Sequence, residues 1–284
     1  MLELAKILCP IDLSRRSPEA ARYAGALACH FHAELHLIHV VNPRVAWVTP
    51  EMGPPVVGDL LEIERNNAQR CLAEFLPERS KDVRRNVLEG DAAYEIVEYA
   101  NREQVNLIVT PTHGYGPFRR FLLGSVTSKI LHDAQCPVLT GIHVETAVTE
   151  QEFGMARIVC AVDLGPDSER VLRWADRFAR SFGSALTVVN ISRWEEWQTD
   201  ANEKTILTAE ALIELDRLRD ATGAYGDMFA DTGEDIPRKV CSTAEGLEAN
   251  LVIIGRGGFG KSTGRLRANS YAIIRQSHCP VISV

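Results

Sequence analysis

The sequence predicts an α/β protein made of two tandem five-stranded parallel sheets, each sandwiched between helices on both faces. Three observations predict it. Short apolar runs rich in β-branched residues, such as Leu107–Val109 and Leu251–Ile254, alternate with longer helical patterns, as buried parallel strands and their crossover helices do. The chain also repeats itself. Lys6–Asp12 (K-I-L-C-P-I-D) is echoed by Arg157–Asp163 (R-I-V-C-A-V-D), and Asn106, Gly114, Ile130 and Cys136-Pro137 are matched to Asn250, Gly258, Ile274 and Cys279-Pro280. Finally, the helical faces agree: Ala24, Leu27, Ala28 and Phe31 stand against Ala175, Phe178, Ala179 and Phe182. A period this long is a duplicated domain and not a solenoid repeat. A length of 284 residues gives the same count of two. The domains expected are 1–145 and 155–284, joined by a short polar linker around Val144–Met155.

The elements of the first half follow in order. Ile7–Ile11 is the first strand and runs into Asp12. Ser17-Pro18-Glu19 combines an N-cap, a proline at the first helical position and an acid in the first turn, so a helix starts there and runs to about Phe31. Leu35–Val41 is the second strand. The stretch Asn42–Asp59 carries Pro43, Pro50, Pro54 and Pro55 and reads as a loop of more than usual length. Leu60–Phe75 is helical, Val83–Leu88 is a weaker strand, and Ala92–Arg102 is an amphipathic helix using Ile96, Val97 and Ala100. Leu107–Val109 is the fourth strand. Gly114 and Gly116 break the structure after it, and Gly124-Ser125 stands directly before a helix with Val126, Ile130 and Leu131 on one side. The fifth strand lies near Val138–Ile142.

The second half repeats the plan. Gly165-Pro166-Asp167-Ser168 opens its first helix, Ala185–Ile191 is its second strand, and Arg193–Asn202 replaces the long loop. Thr205–Ala221 is helical, a weak strand surrounds Met228 and Phe229, the last helix is expected to begin near Asn269, and Val281–Val284 is the last strand. Alternation of this kind gives a parallel sheet with right-handed crossovers. Such sheets bind ligands outside the carboxyl ends of their strands, where Asp12, Val40 and the loop from Pro111 to Gly116 would converge.

Composition excludes several functions. The formal net charge is −7, which argues against nucleic-acid and anionic-membrane partners. No apolar run is long enough to span a bilayer, and Met1–Ile7 is not a secretory signal. The seven cysteines are odd in number and none sits at metal-ligand spacing. Cys9, Cys136, Cys160 and Cys279 lie in or beside apolar strands and read as buried reduced thiols of a cytoplasmic protein. His36 and His39 share one strand, but no Cys or acidic partner stands at useful spacing, so no metal site is expected.

The chemistry is carried by the glycine loops. A glycine loop after a strand, followed by a Ser at a helix start, offers free backbone N–H groups and the positive end of a helix dipole to a phosphate. The same segment without ligand is a strand–turn–helix bend. Asp12 and Asp163 also have two readings, a ligand contact or a cap of the loop that follows the strand. Gly255–Ser262 (G-R-G-G-F-G-K-S) satisfies the P-loop pattern. Against that reading stand the late helix start expected near Asn269 and the shortness of the chain after Ser262. Lys261, Arg265 and Arg267 then form a basic loop.

The strand ending in Asp, the His-Val near the end of the second strand, the G-x-x-G-x9-G-S spacing before the last helix and the Cys-Pro-Val opening the last strand together resemble the universal stress protein family. The resemblance covers both halves. It implies a Rossmann-like fold of the adenine-nucleotide α-hydrolase-like type, a cytoplasmic location, ATP binding (with Mg²⁺) in one branch of the family, and pairing of two domains through their last strands. By the same resemblance Asp12 meets the adenine, Val40 packs on it, and Gly114, Gly124, Ser125 and Val126 surround the phosphates. The counterparts in the second half are Asp163, Ile191, Gly255 and Gly258. The chain departs from the pattern at Pro111, where the first glycine is expected, and at Ala268-Asn269, matched to Gly124-Ser125.

The function expected is therefore a nucleotide-responsive stress or regulatory protein, not an enzyme beyond weak ATP hydrolysis. The alternatives are a ligand-independent scaffold with decayed sites and an enzyme using Lys261, a slow ATPase or a nucleotidyl-transfer protein. Adenine nucleotide is the partner expected, with intramolecular pairing of the halves and a further homodimer compatible with it. Nucleotide in the first half, at Asp12, Val40, Gly114, Gly124 and Ser125, is the expectation ranked first.

Overall fold

The computed structural model describes residues 2–14, 17–42, 54–76, 83–111, 123–141, 154–194, 201–256 and 263–284, with the backbone alone for 54–60, 201 and 263–267. The chain forms two compact units, Glu3–Phe153 and Gly154–Val284. The first unit runs β1 (Lys6–Pro10), α1 (Ser17–Phe31), β2 (Glu34–Val41), α2 (Pro54–Glu74), β3 (Val83–Glu89), α3 (Ala92–Arg102), β4 (Leu107–Thr110), α4 (Ser125–Asp133) and β5 (Val138–Thr140). The second runs β6 (Arg157–Ala161), α5 (Ser168–Phe182), β7 (Ala185–Arg193), α6 (Ala201–Thr222), β8 (Asp227–Gly233), α7 (Ile236–Gly246), β9 (Leu251–Ile254), α8 (Thr263–Gln276) and β10 (Val281–Ser283).

In the first unit the strands lie in the order β3-β2-β1-β4-β5, and in the second β8-β7-β6-β9-β10. Every pairing within a unit is parallel. The register is the same in both: Ile7 stands beside Leu35 and Leu107, and Ile158 beside Leu186 and Leu251. The central strands read as continuous apolar runs because helices cover both faces. Leu107, Ile108 and Val109 are fully buried, as are Leu251, Val252 and Ile253. The first two connections of each unit step outward from the central strand on one side of the sheet, and the third crosses back to the other side. Each unit therefore has its switch point in strand order between β1 and β4, or between β6 and β9.

Several boundaries differ from the expectation. Helix α2 begins at Pro54, inside the stretch expected as loop. A proline is tolerated in the first turn, where its missing N–H has no helical partner to lose, so Pro54-Pro55 opens the helix instead of blocking it. Helix α6 begins at Ala201, ahead of the expected Thr205. The largest shift is in α8, which starts at Thr263 and not near Asn269. Strand β5 ends at Thr140, and residues 142–153, most of the expected linker, lie outside the described residues. At the linker's far end Met155 is buried, and its carbonyl accepts from the Ser184 hydroxyl.

Cys9 and Cys160 are buried in the central strands, and burial pushes both thiols up to about 12, with the charge of Asp12 adding to the effect at Cys9. Cys279 and Cys241 are buried as well, but Cys136 is only half-buried, a correction to its reading as a core thiol. His36 and His39 do not converge. They are three residues apart on β2, and a strand turns such a pair to opposite faces. His36 is fully buried with Nδ1 3.0 Å from the Tyr99 hydroxyl, while His39 Nδ1 lies 2.7 Å from the Ile11 carbonyl oxygen. Among the described residues no group of three or more His, Cys, Asp or Glu could hold a metal ion, and no helix is long and apolar enough to cross a membrane.

Candidate functional site

Each unit has a cavity at its switch point, outside the carboxyl ends of the strands. The first, of about 290 Å³, is lined by Pro10, Ile11 and Asp12 after β1, Ile38, His39 and Val40 of β2, Thr110 and Pro111 after β4, and the first turn of α4. The second, of about 730 Å³, is lined by Val162 to Ser168, by Asn190, Ile191 and Arg193 of β7, by Gly255, and by Asn269, Ser270 and Ile273 of α8. The structure thus brings Asp12, Val40, Gly124, Ser125 and Val126 together in one cavity, and Asp163, Ile191 and Gly255 in the other. Gly114 and Gly258 lie outside the described residues.

The two aspartates are built identically. Asp12 Oδ1 accepts from Ser14 N–H at 2.9 Å and from the Ser17 hydroxyl at 2.6 Å. Asp163 Oδ1 accepts from Gly165 N–H at 2.9 Å and from the Ser168 hydroxyl at 3.2 Å. Each aspartate is therefore the cap of the loop after its strand, and one of its oxygens is committed to that turn. The residue that follows adopts a left-handed backbone in both units, Leu13 at φ 59° and Leu164 at φ 57°. A leucine is costly there, so the turn around it has to hold it, and strained backbone of this kind tends to gather at functional sites. The signal for this device is in the sequence: both repeats read Asp-Leu-x-x-x-Ser, and the serine five residues after the aspartate was not recognised as its partner.

The far wall of each cavity is set by a helix that leans on the loop carbonyl after the fourth strand. The Thr127 hydroxyl donates to the Pro111 carbonyl at 3.1 Å, and the Ser270 hydroxyl donates to the Gly255 carbonyl at 3.0 Å. Pro111 thus stands where Gly255 stands and keeps the same tie. These bonds also correct the alignment of the repeats. Thr127 pairs with Ser270 and Ile130 with Ile273, so the match of Ile130 to Ile274 slips by one residue. The counterparts of Gly124-Ser125 are Arg267-Ala268, and Asn269 falls opposite Val126.

The consequence is electrostatic. Gly124 is the N-cap of α4, with φ −59° and ψ 147°, and Ser125 is the first helical residue and not the cap expected for it. The first intrahelical bond runs from Ser128 N–H to Gly124 C=O at 2.8 Å, which leaves the amides of Ser125, Val126 and Thr127 without a helical partner and turned to the N-terminal end. In the second unit the equivalent backbone lies inside α8, which began at Thr263, so its amides are consumed by the helix. The first cavity therefore has the open first turn of the helix that follows its fourth strand in its wall, and the second lacks the counterpart of that turn in α8. The early start of α8 also places a helix directly behind Lys261-Ser262, which removes one of the two objections to a P-loop, although residues 257–262 lie outside the described residues.

A model of the universal stress protein family matches residues 3–140 and again 155–284. The chain belongs to the universal stress protein family. It is 26% identical over 287 aligned residues to a universal stress protein of Mycobacterium tuberculosis, covering 97% of this chain and 95% of that one, so that relative shares the tandem length. A universal stress protein of Methanocaldococcus jannaschii is 37% identical over 140 residues, which are 47% of this chain and 79% of the relative. Among solved structures, a universal stress protein of Archaeoglobus fulgidus superposes with a TM-score of 0.70 at 22% identity, covering 98% of this chain and 95% of its own, which supports the fold alone.

Proposed function

We propose that this universal stress protein is a cytoplasmic, nucleotide-responsive regulatory protein that takes one adenine nucleotide in its first-unit cavity and has no strong catalytic activity. The observation that carries the reading is the open first turn of α4 in the wall of the cavity that also holds Asp12 and Val40. Charge-assisted bonds from amides to phosphate contribute about 1.5–3 kcal/mol each, and a helix N-terminus supplies several at once. Val40 and Ile38 offer apolar surface to a base at the other end of the cavity. Gly114 is part of this reading by its place in the sequence. Mg²⁺ is assigned no protein ligand. The test is the number of nucleotides carried by the full chain, by native mass spectrometry and by calorimetry with ATP. One per chain is expected; two per chain would give the second cavity an equal role.

A second reading, a scaffold that needs no ligand, is favoured by one observation: both aspartates have a complete structural task in capping their own loops. No nucleotide on the purified chain and none bound in calorimetry would leave that reading standing.

Pairing of the units through β5 and β10 belongs to the proposal too. Each is the last strand in the order of its own unit, and an uncovered apolar edge invites another strand. A fragment ending near Glu145 is expected to self-associate. A clean monomer at high concentration would overturn the pairing.

A further inference from the structure

In both units the central strand makes one more backbone bond after it ends, and then its chain peels away into the aspartate turn. In the first unit that bond is Ile11 N–H to Ile38 C=O at 2.8 Å; in the second it is Val162 N–H to Val189 C=O at 3.0 Å. The next carbonyl, immediately before each aspartate, is taken by a side chain from the neighbouring strand. His39 Nδ1 lies 2.7 Å from the Ile11 carbonyl oxygen, and Asn190 Nδ2 donates to the Val162 carbonyl at 2.9 Å. A carbonyl oxygen only accepts, so Nδ1 of His39 carries the hydrogen. The two residues occupy the same register on β2 and β7, one residue before Val40 and Ile191. Their chemistry differs but their reach does not. Histidine Nδ1 and asparagine Nδ2 are both one bond beyond Cγ, so both can place an N–H donor at the same point in space.

We infer that His39 and Asn190 are positioning residues: each pins the end of the central strand, and with it the site aspartate and the left-handed leucine behind it, to the wall of its cavity. The imidazole is there for its Nδ1–H, and not as a metal ligand or an ornament of the strand end. Without this donor the Ile11 carbonyl would be left half-buried at the point where the sheet ladder stops, and Asp12 would be free to swing with its turn. The inference rests on the nucleotide reading only for its effect on binding; the pinning itself is a property of the fold.

Amide hydrogen exchange of the full chain tests it, with ATP calorimetry alongside. His39→Ala is expected to speed exchange at Ile11 N–H about tenfold, the loss of one hydrogen bond, and to weaken ATP binding by a similar factor. His39→Asn is expected to restore both, because the other unit already uses asparagine for the same bond. Unchanged Ile11 exchange in His39→Ala overturns the inference, whatever ATP does. So does a His39→Asn protein that exchanges as fast as His39→Ala. A chain whose parent binds no ATP ends the nucleotide reading, and the exchange result still decides this one. If His39→Ala does not fold, Asn190→Asp, of the same shape but without the donor, carries the same expectation at Val162 N–H, and unchanged exchange there overturns it.

Discussion

Gly124→Val is expected to abolish ATP binding, while Ala268→Val leaves it unchanged. Gly124 caps α4 in extended backbone, φ −59° and ψ 147°, which a valine adopts without strain. The backbone therefore accepts the substitution, which acts by putting a branched side chain in front of the open first turn; an unchanged circular dichroism spectrum is the control for the fold. Losing two amide-to-phosphate bonds would cost about 3–6 kcal/mol, enough to take a micromolar ligand out of calorimetric range. Ala268 is exposed on α8, where valine costs only about 0.5 kcal/mol in helix propensity. Binding lost in Ala268→Val and kept in Gly124→Val would move the nucleotide to the second unit.

Phe178→Ala is expected to destabilise the second unit by about 3–5 kcal/mol, and Phe178→Leu by under about 1.5 kcal/mol. Phe178 is fully buried on α5, stacked on Trp174 with ring centroids 5.1 Å apart and packed against Phe182 at the same centroid distance. With Val171, Leu172, Ala175 and Ala179 it forms the buried face that α5 lays on the sheet. The first unit has Leu27 at the matching place, also fully buried, so a leucine there is a size the fold already tolerates. Urea unfolding followed by circular dichroism checks the pair of variants. A loss below about 1 kcal/mol for Phe178→Ala would mean that the neighbouring rings close the cavity.

Much of the fold was legible because its signals are local. The apolar runs of β4 and β9 and the Ser-Pro-Glu start of α1 each depend on a few adjacent residues. Helix α7 was absent from the sequence expectation, although its cap is just as local: Asp235 accepts from Arg238 N–H, as Asp91 does from Tyr94 N–H at α3. The start of α8 was not legible. Gly264 weakens the helical pattern there, and what extends the helix back to Thr263 is not in the pattern of its neighbours. The half-burial of Cys136 was hidden for a related reason: an apolar neighbourhood in sequence does not say which side of the chain is covered.

The sequence by itself determined that there are two copies of one α/β unit, which strands are central, and that an aspartate ends the first strand of each. Those facts follow from hydrophobic periodicity and from self-similarity, which need no third dimension. Only the tertiary structure decided that Ser17 and Ser168 hold those aspartates, that His39 and Asn190 perform one task with different chemistry, and that Thr127 aligns with Ser270. It also decided that the two sites differ where phosphate would be met. A backbone amide binds an anion only if no carbonyl of its own helix has claimed it, and whether α4 and α8 begin at equivalent points is a matter of where each helix starts, which the two glycine loops alone did not reveal.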